Sequence, residues 1–194
     1  MGNRGGQLHR TNKTLSARRW VTKSWICCRL HFNDRHRDIM ASRQYTELFF
    51  LDEATALAAG HRPCAECRRP HFNIFIHHWA RMMGQSRRLY VSEIDTVLHK
   101  ERVDRRRRKV TFQATMDDLP NGCFVNYKGT PWLVLNNHMA GWSPGGYLRQ
   151  LRLDAGQAVE VLTPRSLVGL LHAGYPVEIH KSAHQLQRPS VSNG

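Results

Sequence analysis

The sequence predicts an α+β protein, with a small α/β module at the N-terminal end and a β-rich domain behind it. Three observations predict this. Helical and strand-like patterns mix over residues 20–104. From residue 110 onward, short apolar stretches are separated by turn signals. The charge also changes between the two: residues 1–110 hold 23 basic and 10 acidic residues, while residues 111–194 hold 6 and 5. The expected organisation is a flexible basic arm at 1–19, the module at 20–104, a basic linker at 105–109, the β-rich domain at 110–184 and a flexible tail at 185–194.

Each element has a local reason. "RWVTKSWICCRLHF" is aromatic and β-branched and reads as one strand or a paired two. "YTELFF" reads as another, with Phe49 and Phe50 turned to the core. "LDEATALAAG" is a short helix, capped by Asp52 and ended by Gly60 in the left-handed position. Pro70 suits the first turn of the next helix. Its face is Phe72, Phe75, Ile76, Trp79 and Met83, at helical spacing, and Gly84 closes it. "SEIDTVLHKERV" makes a third helix, with Ser92 and Asp95 placed like a capping box and Ile94, Val97 and Leu98 facing inward.

In the second half "KVTFQATM", "GCFVNYK", "TPWLVLNN", "GYLRQLRL" and "AVEVLT" read as strands. "TPRSLVGLLHAG" is the one helix there. Thr163 is its cap, Pro164 its first residue, Leu167, Leu170 and Leu171 its face, and Gly174 its stop. "YPVEIH" reads as a last strand.

The totals bound the function. The chain has 194 residues, 41 % of them hydrophobic, enough for one ordinary core or two small ones. A net charge of +14 favours a polyanion, DNA or RNA, through phosphate neutralisation and counterion release. No run approaches the 18–20 or so apolar residues of a membrane span, and the opening "MGNRGGQLHR" has no apolar stretch behind it to act as a signal peptide. Five cysteines is an odd number without the spacing of a disulfide framework. A reducing, cytoplasmic setting is expected, with some cysteines free for metal.

The chemistry concentrates in "HRPCAECRRPH", residues 61–71. Cys64 and Cys67 sit two residues apart on what must be a tight turn, which is half of a tetrahedral zinc site. A redox pair shares this spacing, but the surroundings do not read as the strand–helix–strand unit such chemistry uses. Cys27 and Cys28 lie upstream. Adjacent strand residues point to opposite faces, so one of them is expected to coordinate, and Cys28 is preferred. The fourth ligand is expected to be His31 or His71, with His9, His36 and His61 less well placed. Zinc is thus the expected cofactor, and the N-terminal module is expected to be zinc-stabilised. A buried cysteine pair without metal is the alternative.

"YTELFFLDEATALAAGHRPCAECRR", residues 45–69, resembles the second half of the metal-binding module of the Ada-type DNA methyl-phosphotriester repair proteins. There a Phe-rich strand leads into an Ala-rich helix, a glycine and Arg-Pro-Cys-x-x-Cys-Arg. The resemblance implies a zinc held by four cysteines beside bound DNA, with Cys64 and Cys67 as the second pair. This chain departs from the pattern at the first pair, which the family spaces as Cys-x3-Cys. Cys28 takes the first place, Phe32 the second, and His31 is the nearest ligand-capable substitute. The family's methyl acceptor is a cysteine of that first pair. The chain as a whole is also similar to a group of bacterial proteins without an assigned activity that share "MGNRGG", "TELFFLDEATALAAGHRPCAECRR" and "WSPGGY".

Arginines surround the knuckle. Arg62, Arg68 and Arg69 flank it, Arg35, Arg37 and Arg43 precede it, and Arg105, Arg106, Arg107, Arg108 and Lys109 form a run. Guanidinium forks match phosphate geometry, and the helix start near Pro70 adds N–H groups, so a phosphate-reading face is expected. A solvated linker is the other reading of the 105–109 run. In the second half "NNHMAGWSPGGY" offers a ligand loop of His138, Trp142 and Tyr147, or only a tight turn. Ser143 lies outside any Gly-x-Ser-x-Gly elbow.

The functional expectation is a zinc-stabilised nucleic-acid-binding protein that contacts phosphate through these arginines. The alternatives are a nucleic-acid-processing enzyme, either metal-dependent nuclease or alkyl acceptor, and a non-catalytic interaction module.

Overall fold

The structure is a computed structural model and describes residues 1–34, 38–84, 89–136 and 138–186. Its centre is a six-stranded antiparallel sheet. In chain order the strands are β4 (Phe112–Thr115), β5 (Phe124–Tyr127), β6 (Thr130–Leu135), β7 (His138–Ser143), β8 (Gly146–Leu151) and β9 (Ala158–Val161). Across the sheet they run β4-β9-β5-β6-β7-β8. Three very short strands, β1 (Gly2–Asn3), β2 (Ile26–Cys27) and β3 (Arg62–Pro63), form a second sheet in the N-terminal part. Four helices complete the fold: α1 (Glu53–Ala58), α2 (Arg69–Met82), α3 (Val91–Arg102) and α4 (Arg165–His172).

Alternation along the strands explains why "TPWLVL" is nearly all apolar. Trp132 and Val134 point to one face of the large sheet and Leu133 and Leu135 to the other, and both faces are covered. On the first, Phe75 and Trp79 of α2, Ile94 and Leu98 of α3, and the Leu167 face of α4 pack on Val125, Met139 and Val161. On the second, Ala54 and Ala58 of α1 join Phe124, Leu133, Ala140 and Tyr147.

The core therefore does not divide at 105–109. Helices from the expected N-terminal module close the sheet of the expected C-terminal domain, because α2 and α3 each bury an apolar stripe that needs a partner. Residues 1–19 are likewise not a loose arm throughout. Gly2 and Asn3 pair with β2, Leu8 is buried, and the buried His9 ring bonds the Thr46 hydroxyl at 2.7 Å.

Several elements are shorter than their patterns predict. "RWVTKSWICCRLHF" contributes only the two residues of β2, and "YTELFF" makes a single bridge, Leu48 to Gly2. Side-chain stacking occupies much of the first stretch instead: the Arg4 and Arg102 guanidinium groups each lie 3.9 Å from the Trp25 ring centre. "YPVEIH" forms no strand. Its Glu178 and His180 amides bond the carboxylates of Glu53 and Asp52.

The helix caps are mixed. Asp52 caps α1, accepting from the Thr55 amide at 2.8 Å, and Gly60 follows the helix with a φ of +80°. At α3 the Glu93 carboxylate, not Asp95, reaches back to the Tyr90 amide. Thr163 accepts from the Phe124 amide and so fastens α4 to β5.

Candidate metal centre

Register builds the centre. β2 and β3 run parallel with Ile26 opposite Arg62 and Cys27 opposite Pro63, and the Cys64 amide donates to the Cys27 carbonyl at 2.9 Å. The next step brings Cys28 beside Cys64. Backbone alternation sends Cys27 to the other side, where it is buried and the Arg68 guanidinium reaches its sulfur at 3.6 Å. The turn from Cys64 to Cys67 then returns a third thiol to the same spot before α2 begins. The Sγ atoms of Cys28, Cys64 and Cys67 all lie within 4.8 Å of one another. A tetrahedral ion with metal–sulfur bonds of about 2.3 Å needs sulfurs about 3.8 Å apart, so the three lie close enough to hold a metal ion.

The local electrostatics fit that use. The Arg29 amide donates to the Cys67 sulfur at 3.3 Å and the Glu66 amide to the Cys64 sulfur at 3.4 Å. Cys64 is pushed down to about 5, chiefly by the hydrogen bond from the Cys28 thiol. The same bond holds the Cys28 proton on and raises its pKa, with burial adding to it. Burial raises Cys67. One sulfur is thus set up as an acceptor among protonated neighbours, and a bound cation replaces those protons.

Neither expected histidine completes the cluster among the described residues. His31 is exposed and lines the cavity beside the thiols without joining them. The His71 Nε2 faces the Glu178 carboxylate at 2.9 Å, because α2 turns this ring toward the segment after α4.

The knuckle arginines also differ from expectation. Arg62 and Arg68 are both only 6 % exposed and are not available to phosphate. Arg62 pairs with Asp95, and Arg68 bridges Glu53 at 3.1 Å and Glu178 at 2.7 Å. Each charge is buried next to the Cys64–Cys67 turn, where burial demands a carboxylate partner. Arg69, Arg43, Arg105, Arg106 and Arg107 are exposed. Arg108 is exposed and pairs with Asp104 at 2.9 Å, while the Lys109 ammonium donates to the Ala58 carbonyl. Arg35 and Arg37 lie outside the described residues.

No family model, curated protein or solved structure matches this chain.

The expected ligand loop is a β-hairpin. β7 and β8 meet through Trp142 opposite Tyr147, and the Ser143 hydroxyl closes the turn on the Gly146 carbonyl at 2.7 Å. Tyr147 is buried and donates to Asp52 at 2.8 Å, and Trp142 packs against the second core. Both rings are structural because the sheet has a covered second face. The part-buried His138 bonds the Asn136 carbonyl through Nδ1 at 3.2 Å.

Two features carried no sequence signal strong enough to find. Arg18, Arg19, Trp20 and Arg107 line a cleft of about 250 Å³ that joins the N-terminal segment to the 105–109 run. The buried Glu47 lines the cavity at the thiols. Arg18 and Arg19 beside Trp20 are a visible basic–aromatic cluster, but their meeting with Arg107 is tertiary. Among the described residues no helix is long and apolar enough to cross a membrane.

Proposed function

We propose that this chain is a zinc-stabilised nucleic-acid-binding protein. Cys28, Cys64 and Cys67 hold the zinc, whose preference for thiolates in a tetrahedral shell suits this donor set. Bound there, the ion ties β2, the knuckle and the start of α2 into one unit. Phosphate is contacted by exposed arginines, not by the buried pair Arg62 and Arg68.

The cleft between Arg18, Arg19 and Arg107, with the Trp20 indole in its wall, carries the reading. Guanidinium groups beside an aromatic face suit a nucleic acid strand, with forks for phosphate and a ring for a base. The +14 net charge adds long-range attraction.

Anisotropy titrations of labelled single- and double-stranded DNA and RNA over a range of salt test it. A linear fall of log K against log salt is expected, steepest for the preferred partner. Binding that ignores salt, or none at physiological salt, overturns it in favour of a protein-interaction module.

The alkyl-acceptor alternative has one observation behind it: Cys28 is the one residue of the trio that is partly exposed. Its signature is a mass gain of one methyl on Cys28 after exposure to methylated DNA.

A further inference from the structure

The three thiols form part of the wall of a cavity of about 410 Å³. That volume falls in the range of small-molecule sites. Its other walls are not those of a structural metal knuckle. Leu30, Ile39 and Phe49 surround it and are 63 %, 53 % and 58 % exposed, a large apolar surface left at one place. Tyr45 adds a further ring, and Glu47 sets a carboxylate, 5 % exposed, among them.

We infer that this cavity receives a neutral, planar nitrogen heterocycle of nucleobase size, lying against Phe49 with its polar edge toward Glu47 and the metal.

Charge and the apolar rim together narrow the class. Three thiolates and a divalent zinc would sum to a formal charge of −1; Glu47 and Glu66 add two negative charges to the same walls, and Arg29 and the Met1 ammonium add two positive ones. A phosphate or carboxylate gains no net attraction there. A neutral ring keeps its N–H groups for Glu47 and a nitrogen lone pair for the metal. Imidazole-type nitrogen is a good zinc donor, and three protein ligands leave one tetrahedral position to a donor from outside the described residues. The aromatic and aliphatic rim supplies the stacking surface that such rings need and charged ligands do not. The heterocycle has two sources, a free nucleoside or a base turned out of a strand. The second rests on the nucleic-acid reading above, and the first does not.

The test uses the full chain loaded with Co²⁺, whose thiolate-bound absorption bands report the fourth ligand. Adenosine, guanosine, cytidine and thymidine are titrated singly, with ribose 5-phosphate as control. At least one nucleoside is expected to shift the bands saturably, with a Kd tighter than about 1 mM, and the sugar phosphate to leave them unchanged. Phe49→Ala removes an exposed side chain, so the unliganded spectrum should persist while nucleoside binding weakens about tenfold.

An oligonucleotide carrying the responding base unpaired, compared with the same strand abasic at that position, identifies the source. A shift from the first alone assigns the base in a strand. A shift from the free nucleoside alone assigns a small-molecule ligand. The inference is overturned if no nucleoside shifts the bands, if ribose 5-phosphate shifts them equally, or if Phe49→Ala binds as tightly. Salt-dependent retention of oligonucleotides in those cases leaves the nucleic-acid reading standing without the pocket. Failure to take up Co²⁺ at all removes the centre and the pocket together.

Discussion

Arg62 and Asp95 meet through two parallel hydrogen bonds, Nε to Oδ1 and Nη2 to Oδ2, both 2.8 Å long. Their side chains are 7 % and 4 % exposed. The Ser24 hydroxyl donates to the same carboxylate at 2.6 Å. The pair joins β3, one residue before the knuckle, to the middle of α3, and so couples the metal turn to the main core. Removing one partner leaves a buried charge, whereas replacing both with apolar residues removes the problem. Asp95→Ala is expected to cost about 3–5 kcal/mol. The double variant Arg62→Met, Asp95→Leu should recover much of that loss. Urea unfolding of the two variants, read as midpoints at constant slope, decides it.

The cysteines divide by geometry into three that face one another and two that do not. Cys27 lies against Arg68, and Cys123 is in the main core. Cys28→Ser, Cys64→Ser and Cys67→Ser should each lose metal in native mass spectrometry of freshly reduced protein. Cys123→Ser and Cys27→Ser should retain it at wild-type stoichiometry. Metal loss from Cys27→Ser with retention in Cys28→Ser would reverse the assignment of faces along β2.

His61 supplies a pH dependence. It is completely buried between the Trp25 and Phe50 rings, at 5.3 and 4.7 Å between centres, and neither ring nitrogen has a hydrogen-bond partner among the described residues. Burial, with Arg4 and Arg102 nearby, holds its pKa well below 6.5. The folded state therefore stays neutral where the unfolded chain takes up a proton. Stability contributed by the neutral ring is complete above pH 6.5 and is lost as pH falls below it, at up to about 1.4 kcal/mol per pH unit. His61→Leu should remove that part of the acid-side slope. Equal slopes for wild type and variant between pH 6.5 and 5 would contradict it.

The sequence was most legible where local chemistry and tertiary demand agree. α1 announces itself through Asp52 and Gly60, and both act as caps in the structure. The strands of the large sheet follow their alternation and their turns. Selection of Cys28 over Cys27 needed only the two-residue period of a strand, which survives even in the two-residue β2. What was hidden depends on long-range partners. Arg62 and Arg68 look like surface charge until Asp95, Glu53 and Glu178 arrive from 33, 15 and 110 residues away. Tyr147 looks like a stacking platform until Asp52 takes its hydroxyl. The expected division into domains followed charge, and charge says nothing about which helix covers which sheet.

Gly60 and Gly84 separate two costs of replacing a glycine. Both follow a helix with positive φ, +80° and +60°. Among the described residues a Cβ at Gly84 meets nothing within 4 Å, while one at Gly60 lies 2.6 Å from Cδ of Arg102. That Arg102 is 1 % exposed, donates to the Gly60 carbonyl at 2.7 Å and to the Lys23 carbonyl, and cannot swing away into solvent. Gly84→Ala should cost only the backbone term of about 1 kcal/mol. Gly60→Ala should cost more than twice as much, and thermal melts of the pair would show it.

Arg107 is exposed and Arg62 is buried, so of the two only Arg107 is placed to meet the phosphate of the proposed nucleic acid. Arg107 lies at the Trp20 cleft, in a turn closed by its amide donating to the Asp104 carbonyl at 3.0 Å. Arg107→Ala should reduce the slope of log K against log salt by about 1 and leave stability within about 0.5 kcal/mol. Arg18→Ala should behave alike. Arg62→Ala should destabilise the fold with no change in salt slope for the fraction that remains folded. If Arg107→Ala and Arg18→Ala leave the slope untouched, the Trp20 cleft is not the proposed phosphate site, and the exposed Arg69 and Arg43 are the next positions to replace.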